Sequence, residues 1–168
     1  VRIGADVPVS LPDDSQESDH ELLPHPPIRR MSGMPMTAPQ IYVSFPGTAR
    51  EALSFYGHVF GGELALHTYE DFGRSDGPGN AIAHGVLSGV VALAGSDAGA
   101  GGKTVRFEGM MLSLLGTAEP AVLHEWFDKL ADGGSVIDPL TPKPWGASDG
   151  QVVDRYGLHW LVGYEPGL

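Results

Sequence analysis

The sequence predicts an α+β fold made of two tandem strand-helix-three-strand (βαβββ) modules. Strand-like alternation precedes a helix-period run twice, at Ile41–Phe45 before Ala52–Phe60 and at Met110–Leu115 before Leu123–Leu130. Each helical run stops at a Gly-Gly pair, Gly61-Gly62 and Gly133-Gly134, where glycine supplies the positive φ that ends a helix. The landmarks also recur at nearly constant spacing: Thr48 to Thr117 is 69 residues, Phe55-Tyr56 to Trp126-Phe127 is 71, and the Gly-Gly pairs lie 72 apart. Offsets that close point to an internal duplication of about 70 residues.

In the first copy, Pro46-Gly47 ends the opening strand. Thr48 and Glu51 read as a Thr-x-x-Glu capping box, hydroxyl and carboxylate satisfying amides at the helix start. Ala52, Phe55, Tyr56, Val59 and Phe60 share one helical face, and strand-like runs follow at 63–69, 81–87 and 90–94 between polar, Gly-rich turns. In the second copy, Gly116-Thr117 opens a helix with Glu119 and Pro120 in its first turn, and Leu123, Trp126, Phe127 and Leu130 form its apolar face. Ser135–Ile137, Gln151–Val153 and Leu158–Tyr164 supply the remaining strands. The modules therefore span 40–96 and 109–168, joined by a linker at 97–108, and form one structural domain over 40–168.

Residues 1–39 differ in kind. They hold half of the 14 prolines, an acidic cluster from Asp13 to Glu21 and no aromatic residue, too little apolar surface to offset the entropy of ordering alone. They are expected to be a tail, or an arm that orders against something else; with Met31, Met34 and Met36 just ahead of the first strand, part of the segment is expected to precede the natural start. The chain of 168 residues contains no Cys, which removes disulfides, thiolate chemistry and Cys-ligated metals. Asp plus Glu number 21 against 10 Lys plus Arg, a formal charge of −11 with no basic run, so nucleic acid and anionic membranes are poor partners. No apolar stretch approaches the roughly 20 residues that span a bilayer, and no signal-peptide pattern opens the chain. A cytoplasmic location is expected.

The duplicated module resembles the vicinal oxygen chelate superfamily, which includes glyoxalase I, bleomycin-resistance proteins and extradiol dioxygenases. Within it the chain is most similar to the PhnB-like group, through Ala49–Gly62 (AREALSFYGHVFGG), Ala83-His84-Gly85-Val86-Leu87, Pro144-Trp145-Gly146 and Asp154-Arg155-Tyr156-Gly157-Leu158-His159-Trp160. The resemblance covers residues 40–164 and implies a glyoxalase/bleomycin-resistance-like fold, in which paired modules curl mixed sheets around a concave small-molecule site, frequently in a homodimer. It also implies a metal held by His and Glu from the first and last strands of each module. Aligned through Phe55-Tyr56 and the Tyr156-Gly157 turn, those four positions fall on Ile41, Ala92, Met110 and Leu161. Three offer no donor and the fourth only a soft thioether, so neither metal nor other cofactor is expected. A register shift of one or two residues would bring Tyr42, Ser113 or His159 to those places.

His84 and His159 are the candidate catalytic groups, each an imidazole on a strand of the expected concave face and able to act as a general base. Tyr42, His67, Trp145 and Tyr156 are candidate ligand contacts, with Trp145 and Tyr156 expected to cap the cavity and stack on a flat ligand. Asp154–Gly157 reads as a tight turn whose aspartate accepts backbone amides. Gly102-Lys103-Thr104 is not a phosphate loop, because Asp97 stands where that motif needs Gly and a strand-like run follows. Methyltransferase chemistry lacks its strand, Gly-rich turn and helix. The expected function is small-molecule binding without the superfamily metal, sequestering or transforming an organic compound; a metal-dependent lyase, isomerase or dioxygenase, and a dimeric interaction protein, are the alternatives. The acidic charge favours neutral or cationic ligands.

Overall fold

The computed structural model describes residues 40–167; the expectations for the segment 1–39 lie outside the described residues. The first module comprises β1 (Tyr42–Phe45), α1 (Ala49–Phe60), β2 (Glu63–Thr68), a 3-10 turn at Glu70–Phe72, β3 (Ile82–Ser88) and β4 (Leu93–Asp97). The second comprises β5 (Leu112–Leu115), α2 (Pro120–Ala131), β6 (Ser135–Pro142), β7 (Ser148–Val153) and β8 (His159–Tyr164). The sheets have the same mixed topology, β1-β4-β3-β2 and β5-β8-β7-β6, each with one parallel pair at the opening strand. Two similar four-stranded modules, each with one helix, make the α+β fold that the repeat predicts.

Strand alternation sorts side chains between a helix side and an open side. Val43 and Phe45 of β1, Leu87 of β3, Leu93 of β4, and Leu112, Leu114, Val152, Trp160 and Val162 of the second sheet are all buried. They join Ala52, Leu53, Tyr56, Val59 and Phe60 of α1 and Leu123, Trp126, Phe127 and Leu130 of α2 in one continuous core. Helix meets helix where Phe60 and Trp126 pack edge to face, ring centroids 5.2 Å apart. Tyr56 donates its phenol hydrogen across the modules to Asp154 Oδ2 at 2.8 Å.

Asp154 organises that junction. Its Oδ2 also accepts from Trp160 Nε1 at 2.8 Å, and Oδ1 accepts the amides of Tyr156 at 2.8 Å and Leu158 at 3.1 Å. Four donors on one buried carboxylate replace the water it gives up. Gly157 completes the turn at φ +84°. Burial, with the Asp154 carboxylate beside it, holds the Tyr56 phenol proton far above the usual tyrosine range.

Three local expectations change. Thr48 makes no side-chain cap; the amide of Ala49 instead donates to Asp97 Oδ1 at 2.8 Å, and the amide of Ile82 to Asp97 Oδ2 at 2.8 Å. A buried carboxylate from β4 thus does the work assigned to the capping box. The last strand of module one runs from Leu93 to Asp97 rather than from Val90 to Ala94, because β1 pairs Tyr42 with Ala94 and Phe45 with Asp97. Val90 is left exposed in the preceding bend. The second helix starts at Pro120, its first turn lying after Gly116-Thr117 rather than on it.

The Gly-Gly stops have two distinct causes. Gly61 and Gly133 adopt φ of +73° each, the left-handed conformation that other residues resist. Gly62 and Gly134 pass close to the next strands, where an added Cβ would lie 2.3 Å from the carbonyl oxygen of Ser88 and of Val153 respectively.

Candidate functional site

The candidate residues are best placed through the cross-strand register of each open face. In the first sheet, Tyr42, Ala94, Val86 and Ala65 form one row across β1, β4, β3 and β2. The next row pairs Ser44 with Ser96 and His84 with His67, and Ser96 lies one step beyond the Gly85–Gly95 pair, beside His84. Ala94 is small enough for the Tyr42 ring to lie across β4. Its hydroxyl comes within 3.2 Å of His84 Nδ1, and the two rings stack with centroids 5.8 Å apart and planes 14° from parallel. Phe72, from the turn after β2, packs edge-on against His67 at 5.9 Å. The structure therefore gathers Tyr42, His67 and His84 on one open face, with Phe72 at its border.

The Tyr42–His84 contact sets what the imidazole can offer. If the phenol donates to Nδ1, the imidazole proton sits on Nε2 and that atom presents a donor; if Nδ1 donates to the phenol oxygen, Nε2 is a free acceptor and a base. Either way Tyr42 fixes the ring while the far nitrogen is left for another partner.

In the second sheet the same register gives Ser113, Leu161, Gln151 and Asp138 as one row and Leu115, Gly163, Asp149 and Thr141 as another. His159 pairs with Val153 and faces the same side, as its alternation with the buried Trp160 requires. Its Nε2 is buried and has no hydrogen-bond partner among the described residues, an arrangement uncommon for a polar atom in a folded protein. Counted back from the corresponding end pairs Glu63–Ser88 and Ser135–Val153, Asp149 takes the place that His84 has in the first module, and its partner Thr141 the place of His67; Asp138, one row away, forms an ion pair with Lys143 at 2.7 Å. The second open face thus carries a carboxylate and a hydroxyl where the first carries imidazoles.

Trp145 and Tyr156 do not act as a pair. Trp145 lies in the turn between β6 and β7, 70% exposed, its Nε1 donating to Asp149 Oδ2 at 3.2 Å. Tyr156 stands on the helix side of the second sheet, its ring 5.6 Å from Phe55 and 6.1 Å from Tyr56. The turn that gives Asp154 its amide donors swings Tyr156 toward α1, away from the open face. Ser44, Ser96, Gln151 and Phe72 were not singled out from the sequence. Period-two alternation from Tyr42 points to Ser44, whereas Ser96 and Gln151 are placed by cross-strand pairing and nothing local marks Phe72.

The metal positions change register and still do not fit. Alternation puts Ile41 on the side of Val43 and Phe45, so Tyr42 takes the open-face place on β1, and Met110 precedes β5, whose open face carries Ser113. Among the described residues no three His, Cys, Asp or Glu side chains are grouped to hold an ion. A phenol, a serine hydroxyl and one imidazole are not the nitrogen and carboxylate set that a catalytic divalent metal requires.

Comparison with known proteins agrees with this architecture. The model of the Glyoxalase/Bleomycin resistance protein/Dioxygenase superfamily matches residues 42–162. Protein YjdN of Escherichia coli strain K12 is 27% identical over 139 residues, covering 72% of this chain and 90% of that protein. The crystal structure of protein PA1353 from Pseudomonas aeruginosa is 37% identical with a TM-score of 0.63, covering 76% of this chain and 98% of that one. The PhnB protein from Bacillus cereus, 20% identical with a TM-score of 0.65 over 76% of this chain and 99% of its own, shares the fold.

Proposed function

Because the chain belongs to the glyoxalase/bleomycin resistance protein/dioxygenase superfamily, whose members bind small molecules, we propose that it binds a small organic compound on its open sheet faces without the superfamily metal. The observation that carries this reading is the Tyr42–His84 pair, an imidazole fixed by a phenol at 3.2 Å on a face the helices do not cover. His67 beside it adds a polar contact, and exposed Tyr42, Phe72 and Leu115 add apolar ones. A few placed polar groups among apolar side chains is the composition of small-molecule sites.

Sequestration needs no more than that. Catalysis is the second reading, favoured by the same pair: with Nδ1 donating to Tyr42, His84 Nε2 is an acceptor able to take a proton from a bound compound. The site works in a cytoplasmic homodimer, since a second copy is the simplest cover for the apolar residues left on both open faces.

A thermal-shift screen of a small-molecule library tests the proposal. Compounds that raise the melting temperature of the wild type and lose most of that effect in His84→Ala and Tyr42→Phe are expected. Compounds that stabilise both variants as well as the wild type would place binding elsewhere.

A further inference from the structure

The first open face does not follow the charge of the chain. Asp and Glu outnumber Lys and Arg by 21 to 10, yet the row Ser44, Ser96, His84 and His67 across β1, β4, β3 and β2 holds no carboxylate. The adjoining row, Tyr42, Ala94, Val86 and Ala65, holds none either. The duplication supplies the contrast: where the first module has His84 and His67, the second has Asp149 and Thr141. Two acidic side chains border the first face. Asp71, in the turn that follows His67, is engaged through Oδ2 by the amide of Thr68 at 2.7 Å, and Glu63 pairs with Ser88 two open-face rows from the imidazoles.

That row can donate along its whole length. Neighbouring strands lie about 4.8 Å apart, so two hydroxyls and two imidazoles line up on one side of the sheet over about 14 Å. With the Tyr42 hydroxyl donating to His84 Nδ1 at 3.2 Å, the imidazole proton stands on Nε2. A carboxylate accepts from several such donors at once, whereas an ammonium ion finds no counter-charge in either row. No Lys or Arg stands in these rows, so the anion they suit is a singly charged carboxylate rather than a phosphate dianion. Beside the imidazoles, the Ala65–Val86 pair and the ring of Phe72, 5.9 Å from His67, offer apolar surface.

We infer that the compound bound on the first open face is a small organic carboxylate, its oxygens received by His84 Nε2–H, His67 and Ser96 and its apolar body lying over Ala65 and Val86. This names a ligand class for the site proposed above and rests on that reading. The net charge of −11 opposes an anion at long range; added salt screens that repulsion, while hydrogen bonds from neutral donors remain.

Benzoate, benzamide and benzamidinium share one planar shape and carry a negative, no and a positive charge. The full chain, labelled with nitrogen-15, is titrated with each at fixed pH while the ring resonances of His67 and His84 are followed by nuclear magnetic resonance. Benzoate is expected to shift both rings saturably and to hold His84 with its proton on Nε2, undiminished by added salt. Benzamide binds about fivefold more weakly or worse, and benzamidinium leaves the signals in place. Ala65→Asp puts a carboxylate beside the imidazoles, and binds benzoate about three- to tenfold more weakly than the equally shaped Ala65→Asn. Equal affinity of these two variants, or binding of benzamide or benzamidinium as tight as that of benzoate, would overturn the carboxylate while leaving the face as a binding site. No saturable shift with benzoate overturns it as well, and the library screen then decides the broader reading by itself.

Discussion

Asp154 is the residue on which the union of the modules depends. Replacing it with Ala strands the Tyr56 hydroxyl, the Trp160 indole N–H and two amides in the interior, at a cost of about 3 kcal/mol or more. Tyr56→Phe removes one donor and costs about 1 to 2 kcal/mol; denaturant unfolding of the two variants checks the order. The raised Tyr56 pKa has a definite sign: the folded phenol keeps its proton, so its stabilisation is whole below the unfolded tyrosine value of about 10 and is lost as pH climbs past it. Tyr56→Phe should flatten that alkaline loss. In the sequence, Asp154 was legible as a turn residue from its place before Tyr156-Gly157, but its reach to Tyr56, 98 positions away, was not. Tyr156 misled for the same reason. It sits in a motif that resembles a cavity rim, yet the Asp154 turn aims its ring at α1.

Helix starts and sheet faces were unequally readable. The apolar stripes of α1 and α2 and the paired Gly-Gly stops follow from local periodicity and backbone conformation, and they stand in the structure where the sequence puts them. The α1 cap does not, because its acceptor is Asp97, a strand residue brought in by tertiary structure. Asp97→Ala should therefore cost about 2 kcal/mol and speed hydrogen exchange at the amides of Ala49 and Ile82. Thr48→Ala should change stability by less than about 0.5 kcal/mol, since Thr48 makes no side-chain cap. Thr48→Ala matching Asp97→Ala would restore the capping box. The edges of β4 were hard to read because Val90 and Val91 have strong strand preference, whereas pairing with β1 selects Ala94–Asp97. The same one-residue ambiguity separates Ile41 from Tyr42, and a one-residue slip exchanges the two faces of a strand. Hence the His84 and His159 faces were legible, and the Tyr42 contact with His84 was not.

At the scale of the molecule, both sheets leave apolar side chains uncovered on or beside their open faces, including Tyr42 and Leu115 at 52% exposure each and Met111 at 41%. Light scattering on the full chain should give twice the monomer mass, and a monomer at micromolar concentration would remove the dimer from the proposal. The duplication leaves two open faces of different chemistry: equivalent registers carry imidazoles in the first module and a carboxylate with a hydroxyl in the second. The central claim is metal-free binding of a small molecule by the open-face imidazoles. It is tested most directly by following the side-chain resonances of His67, His84 and His159 by nuclear magnetic resonance while compounds are added in the presence of EDTA. The account predicts compounds that shift His84 saturably, with the shift unchanged by the chelator and absent in Tyr42→Phe or redistributed there between the two ring nitrogens. Shifts that vanish with EDTA and return with a divalent metal would contradict it.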